Sequence, residues 1–366
     1  MKNSLIIILL LSGAFSCTKI STSETDSFLT GNGVFILNEG NFKWGNGSLS
    51  FFSYDSAKIY NEIFLNVNGR PLGDVPNSMI INDYLAYIVV NNSGKIEVIN
   101  RNTLESVATI AGLISPRNIA VINNSKAYVT SMYSDSVAIV NLIDYTISGY
   151  INLRRSSETI MLSGNKAFIS EWVGGNEVMV VNINDNKVVD SIKVGFEPES
   201  MVVDENKNLW VLCNGGWARN NYAELYCINT VTNMVEKKLM FPDKAASPTC
   251  LQIDGRGETL YYLEKGIHKM NINSGVLPAF PLIPESQHYF YKFGVNPLNS
   301  DIFITDAVDY QQKGYVMFYK NDGTLISTNT AGVIPGMICF KLNGSYLRAG
   351  LGVWNMIYTS PINAFP

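Results

Sequence analysis

The chain has 366 residues, 46% of them hydrophobic and 16% charged, which is enough apolar material for a large buried core. Its net charge of −4, without any cluster of lysine and arginine, argues against a nucleic-acid partner. The two histidines, His268 and His288, have no acidic neighbours at metal-ligand spacing, so we expect no metal site.

Residues 1–17 have the organisation of a bacterial targeting segment. Lys2 precedes the apolar run LIIILLL, which is far too short to cross a bilayer as a helix. The AFSC that follows resembles a lipobox, so we expect Cys17 to be lipidated and to become the mature N-terminus. An ordinary cleaved signal peptide with an incidental cysteine is the alternative.

The segment 18–32 is rich in serine and threonine, and we interpret it as a polar tether between the lipid and a folded domain. Four more cysteines lie in apolar, strand-like runs without CxxC spacing: Cys213, Cys227, Cys250 and Cys339. Buried thiols are expected there, and a disulfide stays open because no pair can be named.

From residue 33 to residue 343 the chain repeats one pattern. Clear copies include LAYIVVNNSGKIEVIN from Leu85, KAYVTSMYSDSVAIVN from Lys126 and KAFISEWVGGNEVMVVN from Lys166. Each unit has about 40–50 residues, a period expected of propeller blades. Alternating Val, Ile, Tyr and Phe bounded by Gly, Pro, Asn and Asp predict four strands in each of seven units, and negligible helix.

These units predict an all-β fold, a seven-bladed β-propeller. The first unit begins at its second strand, and IPGMICF remains at the end as a lone strand of the fourth type, the run that closes each repeated unit. We expect this strand to complete the first blade and close the ring, which removes two exposed sheet edges. Residues 344–366 lie beyond it and form a tail of unknown role.

Loop lengths predict which face of the propeller carries the site. In each blade the loop between the second and third strands shares a face with the loop that enters the innermost strand. On this face the first, fifth and seventh units have long loops: GNFKWGNG, NGGWARNNYA and AVDYQQKG. Functional residues concentrate on loops that a rigid scaffold presents.

The same loops supply aromatic side chains, and the positions after the proline, or its equivalent, ahead of the innermost strands supply polar ones at the mouth of the channel. Aromatic residues with a few convergent polar groups are typical of a site for a large ligand. The predicted ligand-binding residues are Phe42, Trp44, Asn77, Arg117, Tyr133, Glu158, Trp172, Glu199, Trp217, Arg219, Tyr289 and Tyr310, and Thr249 is a further residue of the mouth. The alternative is that the aromatics pack on neighbouring blades and the prolines serve only as turn residues.

We expect no catalytic residues, no cofactor and no enzymatic activity. The sequence contains no GxSxG, HExxH or P-loop pattern. A hydrolase or lyase that uses the channel carboxylates Glu158 and Glu199 is a weaker alternative.

Two resemblances add to this interpretation. AYVT at Ala127 resembles the YVTN repeats of surface-layer-like and YncE-like propellers. FILNEGNF at Phe35, GNGSLSFFSYD at Gly45 and AGVIPGMICF at Ala331 resemble a Bacteroidetes lipoprotein family that includes the BtuG-type corrinoid-binding surface proteins.

The second resemblance implies a lipid-anchored protein of the outer membrane, exposed at the cell surface. It implies capture of cobalamin or a related corrinoid on the loop face and its transfer to a TonB-dependent transporter. Trp44, Trp172 and Trp217 would then provide contact area, and Asn77, Arg117, Glu158 and Arg219 polar contacts. A propeller that binds a glycan or a protein partner is the alternative.

Overall fold

The computed structural model describes residues 29–171 and 174–342. The predicted lipidation site Cys17, most of the predicted tether, Trp172 and the tail 344–366 lie outside the described residues. Within them the chain forms seven antiparallel four-stranded sheets and almost no helix, so the predicted seven-bladed propeller is confirmed.

The strands are numbered in chain order. Blade 1 begins with β1 (Gly33–Asn38), β2 (Ser48–Ser53) and β3 (Lys58–Tyr60). Blade 2 contains β4 (Pro76–Asn82), β5 (Leu85–Val90), β6 (Lys95–Asn100) and β7 (Ser106–Ala111). Blade 3 contains β8 (Pro116–Asn123), β9 (Lys126–Ser131), β10 (Ser136–Asn141) and β11 (Thr146–Asn152).

The second half of the ring repeats this arrangement. Blade 4 contains β12 (Ile160–Ser163), β13 (Lys166–Ser170), β14 (Glu177–Asn182) and β15 (Lys187–Lys193). Blade 5 contains β16 (Pro198–Val203), β17 (Asn208–Cys213), β18 (Glu224–Asn229) and β19 (Val235–Met240). Blade 6 contains β20 (Thr249–Ile253), β21 (Thr259–Leu263), β22 (Gly266–Asn271) and β23 (Ile283–Pro284). Blade 7 contains β24 (Phe290–Val295), β25 (Ile302–Asp306), β26 (Lys313–Tyr319) and β27 (Leu325–Val333).

The last strand, β28 (Pro335–Lys341), closes the ring as predicted. It is the innermost strand of blade 1, where the strand order is β28-β1-β2-β3. Its partner β1 pairs antiparallel with it, with Gly33 opposite Lys341 and Phe35 opposite Cys339. Closure places β1 between two strands, so its backbone groups are hydrogen-bonded on both sides.

Sheets that pack face to face explain why the strand sequences are so apolar. Every residue of β1 and β2 is buried, because both faces of blade 1 contact a neighbouring blade. The outermost strands differ: β7 and β11 alternate between exposed and less exposed positions, as expected at a solvent-facing edge. Burial of each large apolar side chain contributes roughly 1.5–3 kcal/mol.

One short helix, α1 (Ile63–Asn68), connects β3 to blade 2. It buries Ile63 and Phe64 and ends at Gly69, whose φ of 67° terminates the helix while its N–H donates to the Leu65 carbonyl at 2.8 Å. Sequence periodicity does not predict it, because six residues are too few to show a 3.6-residue repeat. No helix in the described part of the chain is long and apolar enough to cross a membrane.

Lys341 holds residues 29–31 against the propeller through hydrogen bonds. Its side chain is fully buried, and its ammonium donates to the carbonyls of Leu29 at 2.6 Å and Gly31 at 3.1 Å. This contact lies at the end of blade 1 where β1 begins, opposite to the end from which the long loop after Asn38 leaves. The N-terminal segment therefore enters the propeller on the face opposite the loop face.

Candidate ligand-binding site

The innermost strands begin around the mouth of the central channel, on the face that the sequence predicts. Asn77, Arg117, Glu199 and Thr249 each lie in the first two residues of an innermost strand, and Glu158 lies just ahead of one. The structure thus brings the predicted polar residues into one ring. The corresponding positions of blades 7 and 1 are Tyr291 and Gly336.

One side of the mouth is organised by a bidentate ion pair between blades 3 and 4. Arg117 Nε and Nη2 donate to the two carboxylate oxygens of Glu158 at 2.7 and 2.8 Å. Burial alone would lower the pKa of Arg117, but the Glu158 carboxylate raises it above its usual value. Asn77 Nδ2 and Ser78 Oγ each donate to the Arg117 carbonyl at 2.7 Å, which fixes the position of its backbone. Arg117 is therefore a preorganised cation.

The other side of the mouth holds Glu39, Tyr291, Lys292 and Glu199. The Tyr291 hydroxyl donates to Glu39 Oε1 at 2.9 Å. Burial raises the pKa of Glu39, although Lys292, Tyr291 and Arg117 oppose this shift. Gly336 makes room for the carboxylate, since a Cβ at that position would lie 2.7 Å from Glu39 Oε1.

Lys292 places its ammonium in the channel, 3.6 Å from Glu199 Oε1. Its side chain is 36% exposed. Cys250, Glu199, Tyr291 and Glu39 raise its pKa, with Cys250 the largest influence, while burial opposes them. The Cys250 thiol is buried, which raises its own pKa to about 11 and leaves it neutral at neutral pH.

The charged residues of the mouth form its floor: Glu39, Arg117, Glu158, Glu199 and Lys292. The loop aromatics extend into solvent around this floor. Their exposed fractions run from 54% to 93%, for Phe42, Trp44, Tyr133, Trp217, Tyr289 and Tyr310. Among them, Tyr310 contacts a residue of the mouth: its ring packs edge-on against the Tyr291 ring, with centroids 5.6 Å apart. Arg219 lies in the long loop of blade 5, where its guanidinium donates to the Ala245 carbonyl at 2.8 Å. Whether these residues contact a ligand stays a prediction.

The long loop of blade 1 is fixed by the Asn41 side chain and the Lys43 backbone, and not through its aromatic rings. Asn41 Nδ2 donates to the Tyr310 carbonyl of blade 7 at 2.9 Å. On the other side, Lys43 N–H donates to Asp74 Oδ2 at 2.9 Å, in the segment that enters blade 2. The loop is held by both neighbouring blades, while the Trp44 ring remains 77% exposed.

His288 and Asp306 form a further pair on the loop face. The His288 Nδ1 lies 2.6 Å from Asp306 Oδ2, and the Asp306 side chain is nearly buried. Sequence reasoning overlooks the pair because the two residues are separated by strand β24 and a turn. It also overlooks Tyr291 and Lys292, since blade 7 has no proline to mark the start of its innermost strand.

The other histidine and the four cysteines are structural, as predicted. His268 is buried, stacks on Tyr262 with ring centroids 5.0 Å apart, and has Nε2 3.1 Å from the Glu264 carbonyl oxygen. All four cysteines of the described chain are buried free thiols: Cys213, Cys227, Cys250 and Cys339. No group of three or more His, Cys, Asp or Glu residues suited to a metal occurs in the described ranges.

The chain is a seven-bladed β-propeller, similar in fold to YVTN-type and quinoprotein-like propellers. Residues 32–334 match the family described as Domain of unknown function (DUF5074), and the chain belongs to this family. No curated protein sequence matches the chain.

Solved structures with a similar fold have diverse functions. A quinoprotein alcohol dehydrogenase-like protein from Bacteroides thetaiotaomicron has a TM-score of 0.68 at 14% identity, covering 85% of this chain and 78% of that one. The periplasmic gluconolactonase of Pseudomonas aeruginosa has a TM-score of 0.63 at 10% identity, with 84% and 99% covered. Hydrazine synthase of Kuenenia stuttgartiensis has a TM-score of 0.62 at 13% identity, with 72% and 89% covered. Identities this low support the fold alone.

Proposed function

We propose that this protein captures a broad ligand at the mouth of its central channel, and that the ligand is a corrinoid such as cobalamin. The observation that carries the proposal is the set of loop aromatics that stay exposed around a charged floor. Most exposed aromatic side chains of the described chain lie on this face, and exposed apolar surface concentrated in one place is typical of an interaction site. Because the neighbouring blades hold the loop of blade 1, the loop itself is preorganised, and less ordering entropy is lost there on binding.

The polar groups of the floor suit a ligand rimmed with amides. Arg117 and Lys292 can donate to amide carbonyls, while Glu39 and Glu199 can accept from amide N–H groups. A corrin ring is wide, apolar on its faces and surrounded by amide side chains. It would therefore match aromatic residues above and charged groups below, in agreement with the sequence resemblance to corrinoid-binding propellers.

Co-elution tests this proposal directly. The purified protein is mixed with cyanocobalamin and passed over a size-exclusion column, with absorbance followed at the visible bands of the corrin. We expect the chromophore to elute with the protein. A protein peak without the chromophore would contradict corrinoid binding, and retention of an oligosaccharide or a protein partner would then support the alternative ligands.

Trp44 is the residue whose replacement tests the site. We expect Trp44→Ala to weaken cyanocobalamin binding at least about tenfold, because the ring loses its stacking contact with the ligand. The melting temperature should not change, since the ring is 77% exposed. Tyr84→Ala is the matched control: Tyr84 is 56% exposed but lies in the loop between β4 and β5, on the opposite face. Equal effects of the two variants would contradict a site at Trp44.

We also propose that the protein binds its ligand without transforming it. Cyanocobalamin released from the complex by denaturation should have an unchanged mass and spectrum. A shifted mass would instead support the hydrolase or lyase alternative, for which Glu158 and Glu199 are the carboxylates to replace first.

Anchoring at Cys17 and transfer to a TonB-dependent transporter complete the proposal. The N-terminal segment enters the propeller opposite the loop face, which would leave the site directed away from the membrane. Labelling of cells with a radioactive fatty acid should mark the wild-type protein and not Cys17→Ala. Co-purification from detergent-solubilised outer membranes tests the association with a transporter.

A further inference from the structure

The His288–Asp306 pair has the geometry of an oriented imidazole. Asp306 is fixed by its own contacts, because Oδ1 accepts the Val308 N–H at 2.7 Å while Oδ2 lies 2.6 Å from His288 Nδ1. The Tyr315 ring meets the imidazole edge-on with centroids 5.8 Å apart. A carboxylate accepts and does not donate, so the neutral imidazole carries its proton on Nδ1 and its lone pair on Nε2.

The second ring nitrogen of His288 is available to a ligand. Within the described ranges of the chain, Nε2 has no hydrogen-bond partner, and the His288 side chain is 35% exposed. An imidazole held through one nitrogen by a buried carboxylate is the arrangement that orients a histidine for metal coordination through the other nitrogen.

His288 lies on the rim of the channel mouth. It belongs to the segment that enters β24, on the loop face, beside the exposed Tyr289. Three residues later Tyr291 contacts Glu39 in the floor of the mouth, and Tyr310 packs on Tyr291 from above. A ligand seated on the loop aromatics of blades 1 and 7 would therefore come within reach of the imidazole.

We propose that His288 coordinates, through Nε2, the metal centre of a metal-bearing ligand held at the channel mouth, and that Asp306 is its positioning residue. This inference rests on the proposed function. One histidine cannot hold a free metal ion by itself, so the metal arrives within the ligand. In a corrinoid the metal is the cobalt at the centre of the ring.

The coordination step is a ligand exchange. The Nε2 lone pair forms a bond to cobalt(III) as the water on one axial face leaves with its own electron pair. The proton on Nδ1 stays hydrogen-bonded to Asp306, and no electron is transferred. The step therefore requires a corrinoid with an exchangeable water, such as aquacobalamin. Cyanocobalamin has cyanide and a benzimidazole nitrogen on its two axial faces, so it should bind without this exchange.

Visible absorption spectroscopy of the full chain with these two probes tests the inference. On binding to the wild-type protein, we expect aquacobalamin to acquire the spectrum of an imidazole-coordinated cobalt, whereas cyanocobalamin keeps its own. His288→Ala should abolish the spectral change and raise the Kd for aquacobalamin about tenfold relative to that for cyanocobalamin. Asp306→Asn should reduce the change, since a neutral amide orients the ring less strongly.

Further variants separate coordination from folding. His268→Gln changes the buried histidine of blade 6 and should leave the spectral change intact. If His288→Ala does not fold, His288→Gln, which can still donate to Asp306, serves in its place. Binding of aquacobalamin to the wild type without a spectral change, or a change that persists in either His288 variant, overturns the inference and leaves the proposed function standing. Failure of both corrinoids to bind overturns the proposed function, and the inference with it.

Discussion

Single charged side chains determine the chemistry of the channel mouth. Arg117 and Glu158 are 16% and 10% exposed as side chains, and each is the other's bidentate partner. Breaking a pair that is largely removed from water leaves an uncompensated charge, which costs more than the pair itself contributes. The Arg117–Glu158 pair therefore bears on the stability of the fold.

We expect Arg117→Met to lower the free energy of unfolding by about 1–3 kcal/mol, because the Glu158 carboxylate then loses its counter-charge. Chemical denaturation measures this change. The double variant Arg117→Met, Glu158→Gln should recover a substantial part of the loss, since no unpaired charge remains. Additive effects of the two substitutions would show that the pair is not coupled.

The lowered pKa of Lys341 predicts that the free energy of unfolding depends on pH. Burial, with a smaller effect of Arg101, lowers its pKa from 10.5 to about 8 in the folded protein. Between these values the unfolded chain binds more protons at this group than the folded one, so its contribution to stability increases as pH rises from 8 to 10.5.

The matched comparison is with Lys341→Met, which removes the titrating group. The difference in unfolding free energy, wild type minus variant, should grow with pH over this window by at most about 3 kcal/mol. Urea unfolding of both proteins at pH 7.5 and pH 10 measures it, and other titrating groups cancel in the difference. A constant difference would contradict the lowered pKa.

At the scale of elements, the closing strand β28 decides whether the ring forms. It pairs with β1 in blade 1, and it packs beside the innermost strands of blades 2 and 7. Without it, β1 would expose a row of unpaired backbone groups, and the buried side chains of blades 1 and 7 would meet water.

A chain that ends at Ile334 should therefore lose the cooperative unfolding transition of the full-length protein. Circular dichroism during thermal denaturation measures this, with a chain ended at Leu342 as the control. A cooperative transition at an unchanged temperature in the shorter chain would show that closure by β28 is dispensable.

The elements also explain what the sequence could and could not predict. The strand frame and the closing strand follow from local patterns of alternation and turn residues, and both are correctly predicted. That the loop face carries a binding site stays a prediction. Glu39 is overlooked because its contact with Tyr291 forms only when blades 1 and 7 meet in the closed ring. Lys292 of blade 7 reaches Glu199 of blade 5, and the fold of blade 7 itself brings His288 to Asp306, so no local sequence pattern indicates either contact. Glu39 in particular appears in the sequence as part of a turn, and nothing local indicates that Gly336 leaves space for its carboxylate.

At the scale of the whole molecule, the site is assembled from many blades. Blades 3 and 4 supply the Arg117–Glu158 pair, blades 5 and 7 supply Glu199 and Lys292, and the loop after β1 supplies Glu39. A ligand at the mouth would contact most of the ring at once. Its binding should therefore stabilise the closed propeller against unfolding, in proportion to ligand concentration over Kd.

The contact of Lys341 with Leu29 and Gly31 has a mechanical consequence. If the protein is tethered at its N-terminus and pulled at its loop face, the load enters through this contact and passes directly into β1. That strand is not at a sheet edge, since hydrogen bonds join it to β28 on one side and β2 on the other. Two hydrogen-bond ladders would then share the force, so the propeller should resist unfolding when it is pulled through its N-terminal segment.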